Sequence, residues 1–147
     1  LTLNLRLAEE SDRPALRALF LAVRRDTYIW QAPASFELAD FDAQTEGERL
    51  FAAFDGNGRV AGFLSLWEPD RFIHHLYVGR PWQRRGVGQA LLRALPGWPA
   101  TRYRLKCLRL NAGALAFYRT CGFAAIGSGV SEDGEYVLLE SGLAPAA

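Results

Sequence analysis

The sequence predicts one mixed α/β domain, a single sheet with helices packed on both faces. Three observations carry that expectation. Short segments of apolar–polar alternation or unbroken apolar character recur along the chain and read as strands. Between them lie stretches of helical spacing, bounded by caps and by proline or glycine stops. The elements follow the order β-α-α-β-β-β-α-β-α-β-β with no repeat, low-complexity segment or linker, which describes a sheet covered by helices. At 147 residues and 50% apolar, residues 1–147 make one domain of ordinary size.

Thr2 to Ala8 sets Leu3, Leu5 and Leu7 between polar neighbours, the period of a half-buried strand. Ser11 reads as a helix N-cap, with Asp12 and Pro14 in a first turn that suits both. Ala15, Leu16, Leu19, Phe20 and Val23 recur at helical spacing, so this helix buries one stripe. From Asp26 to Asp42 the period breaks into Tyr28, Trp30, Pro33, Phe36 and Phe41 among acids. That segment reads either as a binding wall or as a short helix packed under the core. Arg49–Phe54 and Arg59–Trp67 are strands joined by Asp55-Gly56-Asn57-Gly58, a strong hairpin signal. Phe72–Val78 is a third strand. A helix from Val87 to Leu95 follows and stops at Pro96-Gly97. Arg102–Leu108 is the next strand. Asn111 caps a helix through Leu115 and Tyr118 to Cys121, and Gly122 ends it. Phe123–Ile126 and Glu135–Leu139 close the chain as a strand pair linked by a glycine-rich loop over 127–134.

Composition narrows the function classes. A net charge of +1 gives no support for nucleic-acid binding or membrane adhesion. No apolar run reaches the roughly 18 residues of a membrane span, and no signal-peptide pattern is present. Cys107 and Cys121 lack metal-ligand spacing and sit in apolar segments, which assigns both to the core and fits a reducing cytoplasm. No metal is expected.

The most informative stretch is Leu76-Tyr77-Val78, then Gly79-Arg80-Pro81-Trp82, then Gln83-Arg84-Arg85-Gly86-Val87-Gly88-Gln89. An apolar strand enters a short basic loop, and the loop opens a helix through two glycines. Glycine allows a tight turn and close approach of a ligand to the backbone. A helix N-terminus presents unpaired N–H donors and the positive end of its dipole, which suits phosphate. No Gly-Lys-Ser/Thr follows, so this is not a P-loop. The third glycine and distal acid of a dinucleotide fingerprint are also missing. The pattern therefore points to a pyrophosphate cradle for another phosphorylated cofactor.

The cradle, the Asn111-x-x-Ala114-x-x-Phe117-Tyr118-x-x-x-Gly122-Phe123 motif and the element order together resemble the GNAT superfamily of acyl-CoA-dependent N-acetyltransferases, over nearly the whole domain. The resemblance implies a mostly antiparallel central sheet in which Phe72–Val78 and Arg102–Leu108 run parallel and splay apart. It implies that acetyl-CoA lies in that opening, its pantetheine arm pairing with main-chain groups of Leu76 and Val78 as if it were a strand. Tyr77 belongs to the same strand. Main-chain N–H groups from Arg84 to Gln89 would hold the pyrophosphate, with Arg80, Arg84, Arg85 and Arg119 near enough in sequence to add charge. Asn111, Ala114 and Phe117 would flank the pantetheine arm.

For chemistry, the resemblance implies Tyr118 as the acid that protonates the leaving thiolate. Arylalkylamine N-acetyltransferases, members of the superfamily, carry a His-x-His pair where this chain has Phe72-x-His74, so His74 keeps one of the two. An imidazole near ~6.5 suits taking a proton from an ammonium, directly or through water. By period two, Phe72, His74, Leu76 and Val78 share one face, and Ile73, His75 and Tyr77 the other. The expected reaction is direct attack of a primary amine, of a small molecule or a protein, on the acetyl carbonyl. A main-chain N–H of Leu76–Val78 would polarise that carbonyl. Tyr28, Trp30, Phe36, Phe41 and the 127–134 loop would wall the acceptor side, where Glu37, Asp40 and Asp42 could attract a cation. The alternatives are a non-catalytic acyl-CoA sensor on the same scaffold and a phosphate-binding α/β domain of another kind. Either a monomer or a homodimer accords with the sequence.

Overall fold

The computed structural model describes residues 1–142. Its elements are β1 (Asn4–Leu7), α1 (Arg13–Thr27), α2 (Asp40–Gln44), β2 (Arg49–Phe54), β3 (Val60–Trp67), β4 (Phe72–Val78), α3 (Val87–Arg93), β5 (Arg104–Leu108), α4 (Ala112–Thr120), β6 (Ala124–Ser131) and β7 (Gly134–Glu140). The order matches the sequence expectation element by element. All seven strands form one sheet, ordered β1-β2-β3-β4-β5-β7-β6. Every pairing is antiparallel except β4 with β5.

Each face of the sheet carries its own core. On one side the stripe Leu16, Leu19, Phe20 and Val23 of α1 packs with Phe41 of α2 onto Leu50 and Phe63. Phe20 sits edge-on to Phe41 and Phe63 at 5.8 and 5.9 Å, and burying such a ring contributes roughly 1.5–3 kcal/mol. On the other side Val87, Leu91 and Leu92 of α3 meet Leu64, Leu66, Ile73, Leu105 and Leu139, with Tyr118 and Phe123 beside them. The β2–β3 hairpin turns where the sequence placed it. Asp55 Oδ1 accepts from the Asn57 and Arg59 N–H groups, and Gly58 takes φ +78°.

Three expectations are corrected. The start of α1 is organised by Asp12 rather than Ser11: Asp12 Oδ2 accepts from the Glu9 N–H at 2.7 Å and from Arg6 Nη1 at 2.7 Å. The Arg6 pairing anchors this longer carboxylate to β1, which a serine could not do. The 127–134 segment is not a loop, because the β6–β7 ladder runs from Ala124↔Glu140 to Ser131↔Gly134 and leaves Glu132-Asp133 as the turn. A Cβ at Gly129 would run into the Tyr136 ring, so the glycine makes room for a cross-strand aromatic. Cys107 is buried as expected, but Cys121, at the end of α4, is only half-buried.

Candidate active site

β4 and β5 share a single bridge, Phe72 with Arg104, and separate beyond it. The edge of β4 from His74 to Val78 therefore has no strand partner on that side. A cleft of about 660 Å³ opens there, with a second cavity of about 580 Å³ next to it. His74, Leu76, Tyr77, Val78, Gln83, Arg84, Gly86, Val87, Gly88, Gln89, Asn111, Ala114, Phe117 and Tyr118 all line the first. Of the four arginines expected near the pyrophosphate, only Arg84 is in that lining; Arg80, Arg85 and Arg119 lie outside it. Tyr28, His74, His75, Tyr77, Lys106 and Leu108 line both cavities and form the seam.

The faces of β4 differ from the period-two expectation. Ile73 pairs with Leu66 and His75 with Ser65, so His74 is an extra, unopposed residue. Such a bulge breaks alternation. Ile73, Leu76 and Val78 belong to the α3 side, while His75 and Tyr77 pack on the α1 side against Phe20 and Phe63. His74 leaves its expected row with Leu76 and lays its ring 3.9 Å from that of His75.

The turn after β4 has the backbone of a cradle. Arg84 and Gly86 take φ +62° and +83°, and left-handed backbone at a non-glycine residue is uncommon outside constrained sites. The N–H groups from Arg84 to Gln89 make no backbone hydrogen bond among the described residues, so this run of donors is available to a diphosphate. Gly88 serves packing: a Cβ there would sit 2.8 Å from Phe117 Cζ, so glycine lets α3 and α4 close around the cleft. Asn111 Oδ1 caps α4 by accepting from the Ala114 N–H at 3.2 Å, leaving its amide nitrogen unengaged. Gln83 Nε2 donates to the Val78 carbonyl at 3.1 Å, closing the end of the strand that the sequence assigned to pantetheine pairing. An open strand edge leading to a run of unpaired amides fits an elongated ligand with amides at one end and a diphosphate at the other.

Tyr118 reaches the cleft from α4, 9% exposed and wedged between Phe117 and Phe123. Burial, with nearby Cys107 and Tyr28 adding, pushes its phenol far above the ordinary 10, so the hydroxyl keeps its proton. Burial pushes the Cys107 thiol up to about 11, so it is not a thiolate nucleophile at neutral pH. His75 is held neutral: burial, then the neighbouring His74 and Arg24 charges, drop it well below 6.5. Its Nδ1 meets Ser65 Oγ at 2.8 Å and its Nε2 meets Gln44 Oε1 at 3.3 Å.

On the second cavity the aromatic wall is partly as expected. Tyr28 and Phe36 line it, and the Tyr28 hydroxyl hydrogen-bonds that of Tyr77 at 3.0 Å. Trp30 meets the Tyr28 ring edge-on at 5.4 Å and does not line the cavity, and Phe41 is core. Two of the three acids are not free to attract a cation, while the Glu37 carboxylate makes no ion pair among the described residues. Asp40 is paired with Arg24, and Asp42 with Arg13 and Arg17. Sequence reasoning missed Lys106, on the solvent-side row of β5 with its ammonium 4.8 Å from the Tyr136 ring, although strand alternation could have flagged it. It also missed Glu48, whose Oε2 lies 2.9 Å from His74 Nδ1. No local pattern distinguishes that glutamate from its neighbour Glu46.

Splayed parallel strands, an amide-rich turn and a tyrosine on the cleft wall are the arrangement that the resemblance to acyl-CoA-dependent transferases implies. The profile of the acetyltransferase (GNAT) family matches residues 14–123, and the chain belongs to that family. Its fold is shared with a GCN5-related N-acetyltransferase from Rhodopseudomonas palustris (TM-score 0.77, 23% identity, 97% of each chain covered). It is likewise shared with the PaiA N-acetyltransferase of Thermoplasma acidophilum, solved in complex with coenzyme A (0.75, 16%, 96% of this chain and 99% of that one). The ribosomal-protein-S18-alanine N-acetyltransferase of Escherichia coli is a third such neighbour (0.70, 20%, 99% and 97%). No curated protein matches by sequence. Among the described residues no helix is long and apolar enough to cross a membrane.

Proposed function

We propose that this protein transfers an acetyl group from acetyl-CoA to a primary amine by direct attack, without a covalent acyl-enzyme. The observation that carries the reading is the seam. Half-exposed His74 and the hydroxyl-bearing Tyr118 line the same cleft, and His74 also lines the acceptor-side cavity. Acetyl-CoA supplies an activated acyl group. The unpaired β4 edge and the amides from Arg84 to Gln89 hold and orient it, with Gly88 and Phe117 shaping the wall between α3 and α4. His74 takes the proton that the amine gives up. Tyr118, whose burial favours the neutral phenol, returns one to the departing sulfur. The acceptor enters through the cavity bounded by Tyr28, Phe36 and Lys106.

A sensor that binds acyl-CoA without turnover is the competing reading, and the paired His74 and Tyr118 favour the enzyme. The deciding experiment follows free thiol released from acetyl-CoA over a panel of aromatic amines, polyamines, amino acids and peptides at several pH values. Release that depends on the acceptor supports transfer. Tight coenzyme A binding with no release from any acceptor supports the sensor.

A further inference from the structure

We propose that Glu48 is the positioning partner of His74, the two forming an acid–base dyad in which the carboxylate holds Nδ1 and leaves Nε2 to take the proton. This rests on His74 being the base proposed above.

Four observations carry it. First, Glu48 Oε2 lies 2.9 Å from His74 Nδ1, and an ionised carboxylate only accepts, so the proton of this bond sits on the ring. That assigns the lone pair to Nε2, which has no hydrogen-bond partner among the described residues. Second, the pair spans the protein surface: the Glu48 side chain is 7% exposed and that of His74 41%, so the acid is buried and the base is at the cavities.

Third, Glu48 is compensated unlike the other acids. Every other ion pair among the described residues joins a carboxylate to an arginine, whereas Glu48 is paired with imidazole alone. Its Oε1 is buried with no hydrogen-bond partner among the described residues. A buried carboxylate is costly unless matched by positive charge. Among the described residues the His74 ring is the side chain set against that carboxylate, so the same contact that holds Glu48 in place fixes the ring. Fourth, the bulge at His74 is what brings the ring to this side, where it stacks on His75. His75 is tied to Ser65 and Gln44 and stays neutral, so it steadies the ring without repelling an imidazolium.

The other charged groups facing the seam are Lys106 from β5, the Arg24–Asp40 pair from α1 and α2, and Glu132 and Asp133 from the β6–β7 turn, with the hydroxyls of Tyr28, Tyr77 and Tyr136. None of them contacts the Glu48–His74 bond. Glu48, His74 and His75 bring three nitrogen or oxygen atoms within 4.8 Å of one another. Both His75 nitrogens are already engaged, by Ser65 and Gln44, so His75 has no ring nitrogen left over for an ion.

Histidine-labelled protein, read by long-range nitrogen–proton NMR, tests the dyad directly. His74 of the wild-type protein is expected as the Nδ1–H tautomer, and Glu48→Gln is expected to move the proton toward Nε2 because the amide can donate to Nδ1. In parallel, Glu48→Gln should lower kcat by roughly 10²-fold, the lower end of a general base's contribution, with the KM for acetyl-CoA changed less than about two-fold. Glu48→Asp should recover most of that loss. Glu48→Gln combined with His74→Gln should be no slower than His74→Gln alone, since both act through one ring. An Nε2–H tautomer in the wild-type protein, or Glu48→Gln with unchanged kcat while His74→Gln is impaired, overturns the dyad and leaves His74 as the base. Unchanged kcat in His74→Gln overturns the base reading and the dyad with it. Loss of activity on chelation, restored by zinc alone, also overturns it. Should Glu48→Gln fail to fold, the wild-type tautomer and the Glu48→Asp kinetics still decide.

Discussion

Gly62 of β3 sits behind the cleft, and replacing it with alanine should damage stability and coenzyme A binding together. A Cβ there would lie 2.7 Å from the Tyr77 carbonyl oxygen, 3.2 Å from Val87 Cγ1 and 3.4 Å from Leu91 Cδ1. Relaxed non-bonded contacts lie near ~3.5–4.0 Å, so the methyl needs several tenths of an ångström or more. The nearest obstacle is backbone of β4 and cannot swing away as a side-chain tip would. Overpacking of this kind costs about 1–3 kcal/mol, against a gain of about 0.4–1 kcal/mol from a stiffer unfolded chain. The difference spans about 0 to 2.6 kcal/mol, and because the nearest obstacle is backbone the loss falls in the upper part, about 1–2 kcal/mol. At about 2–4 °C per kcal/mol for a domain near this size, Tm should fall by about 2–8 °C. Because Tyr77 and Val87 are the atoms pushed, the β4 edge and the start of α3 move with them, and acetyl-CoA affinity should weaken. Thermal melts with and without coenzyme A, together with calorimetric titration, measure both effects. Gly56→Ala is the control, since nothing lies within 4 Å of a Cβ at that hairpin position. An unchanged or higher Tm for Gly62→Ala, with wild-type coenzyme A affinity, would refute the packing argument.

Three further outcomes are expected. Tyr118→Phe should cut kcat by about 10²-fold or more while acetyl-CoA binding, followed by titration, stays within about two-fold, because the ring packing survives and only the proton donor is lost. Cys107, with its thiol raised to about 11 by burial, should resist alkylation in the native protein at pH 8 while half-buried Cys121 reacts first, as peptide mass mapping would show. Cys107→Ala should retain transfer, and its loss would place a thiol in the chemistry. Asp42 is held below 3.8 by its hydrogen bond to Arg17 and then that to Arg13. A lowered folded value means its stabilisation is complete above 3.8 and is lost as pH falls through the lower folded value. Asp42→Asn should therefore flatten the acid limb of a denaturation-versus-pH series, and an unaltered limb counts against the network.

Local signals carried much of the site. The run from Gln83 to Gln89, the Asn111 cap and the Asp55–Gly58 turn depend on residues within a few positions of one another. Caps, positive-φ glycines and amide runs are set by backbone sterics over that range, and the structure has the cap, the turn and the unpaired amides there. Where two distant segments had to meet, the reading failed or fell silent. Asp40 and Asp42 look like free anions along the chain. Their arginine partners stand on α1, 16 to 29 residues earlier, and only the packing of α2 on α1 reveals them.

What the chain determined by itself was the succession of elements, the apolar stripe of α1 and the glycine-bearing turn that opens α3, because propensity, capping and periodicity act between near neighbours. What only the tertiary structure decided was the register of β3 against β4. One unopposed residue there turns His74 out of its expected row and onto His75, beside a glutamate 26 positions away. Strand register is a sum over cross-strand contacts and long-range packing, so no window of the sequence around His74 contains it.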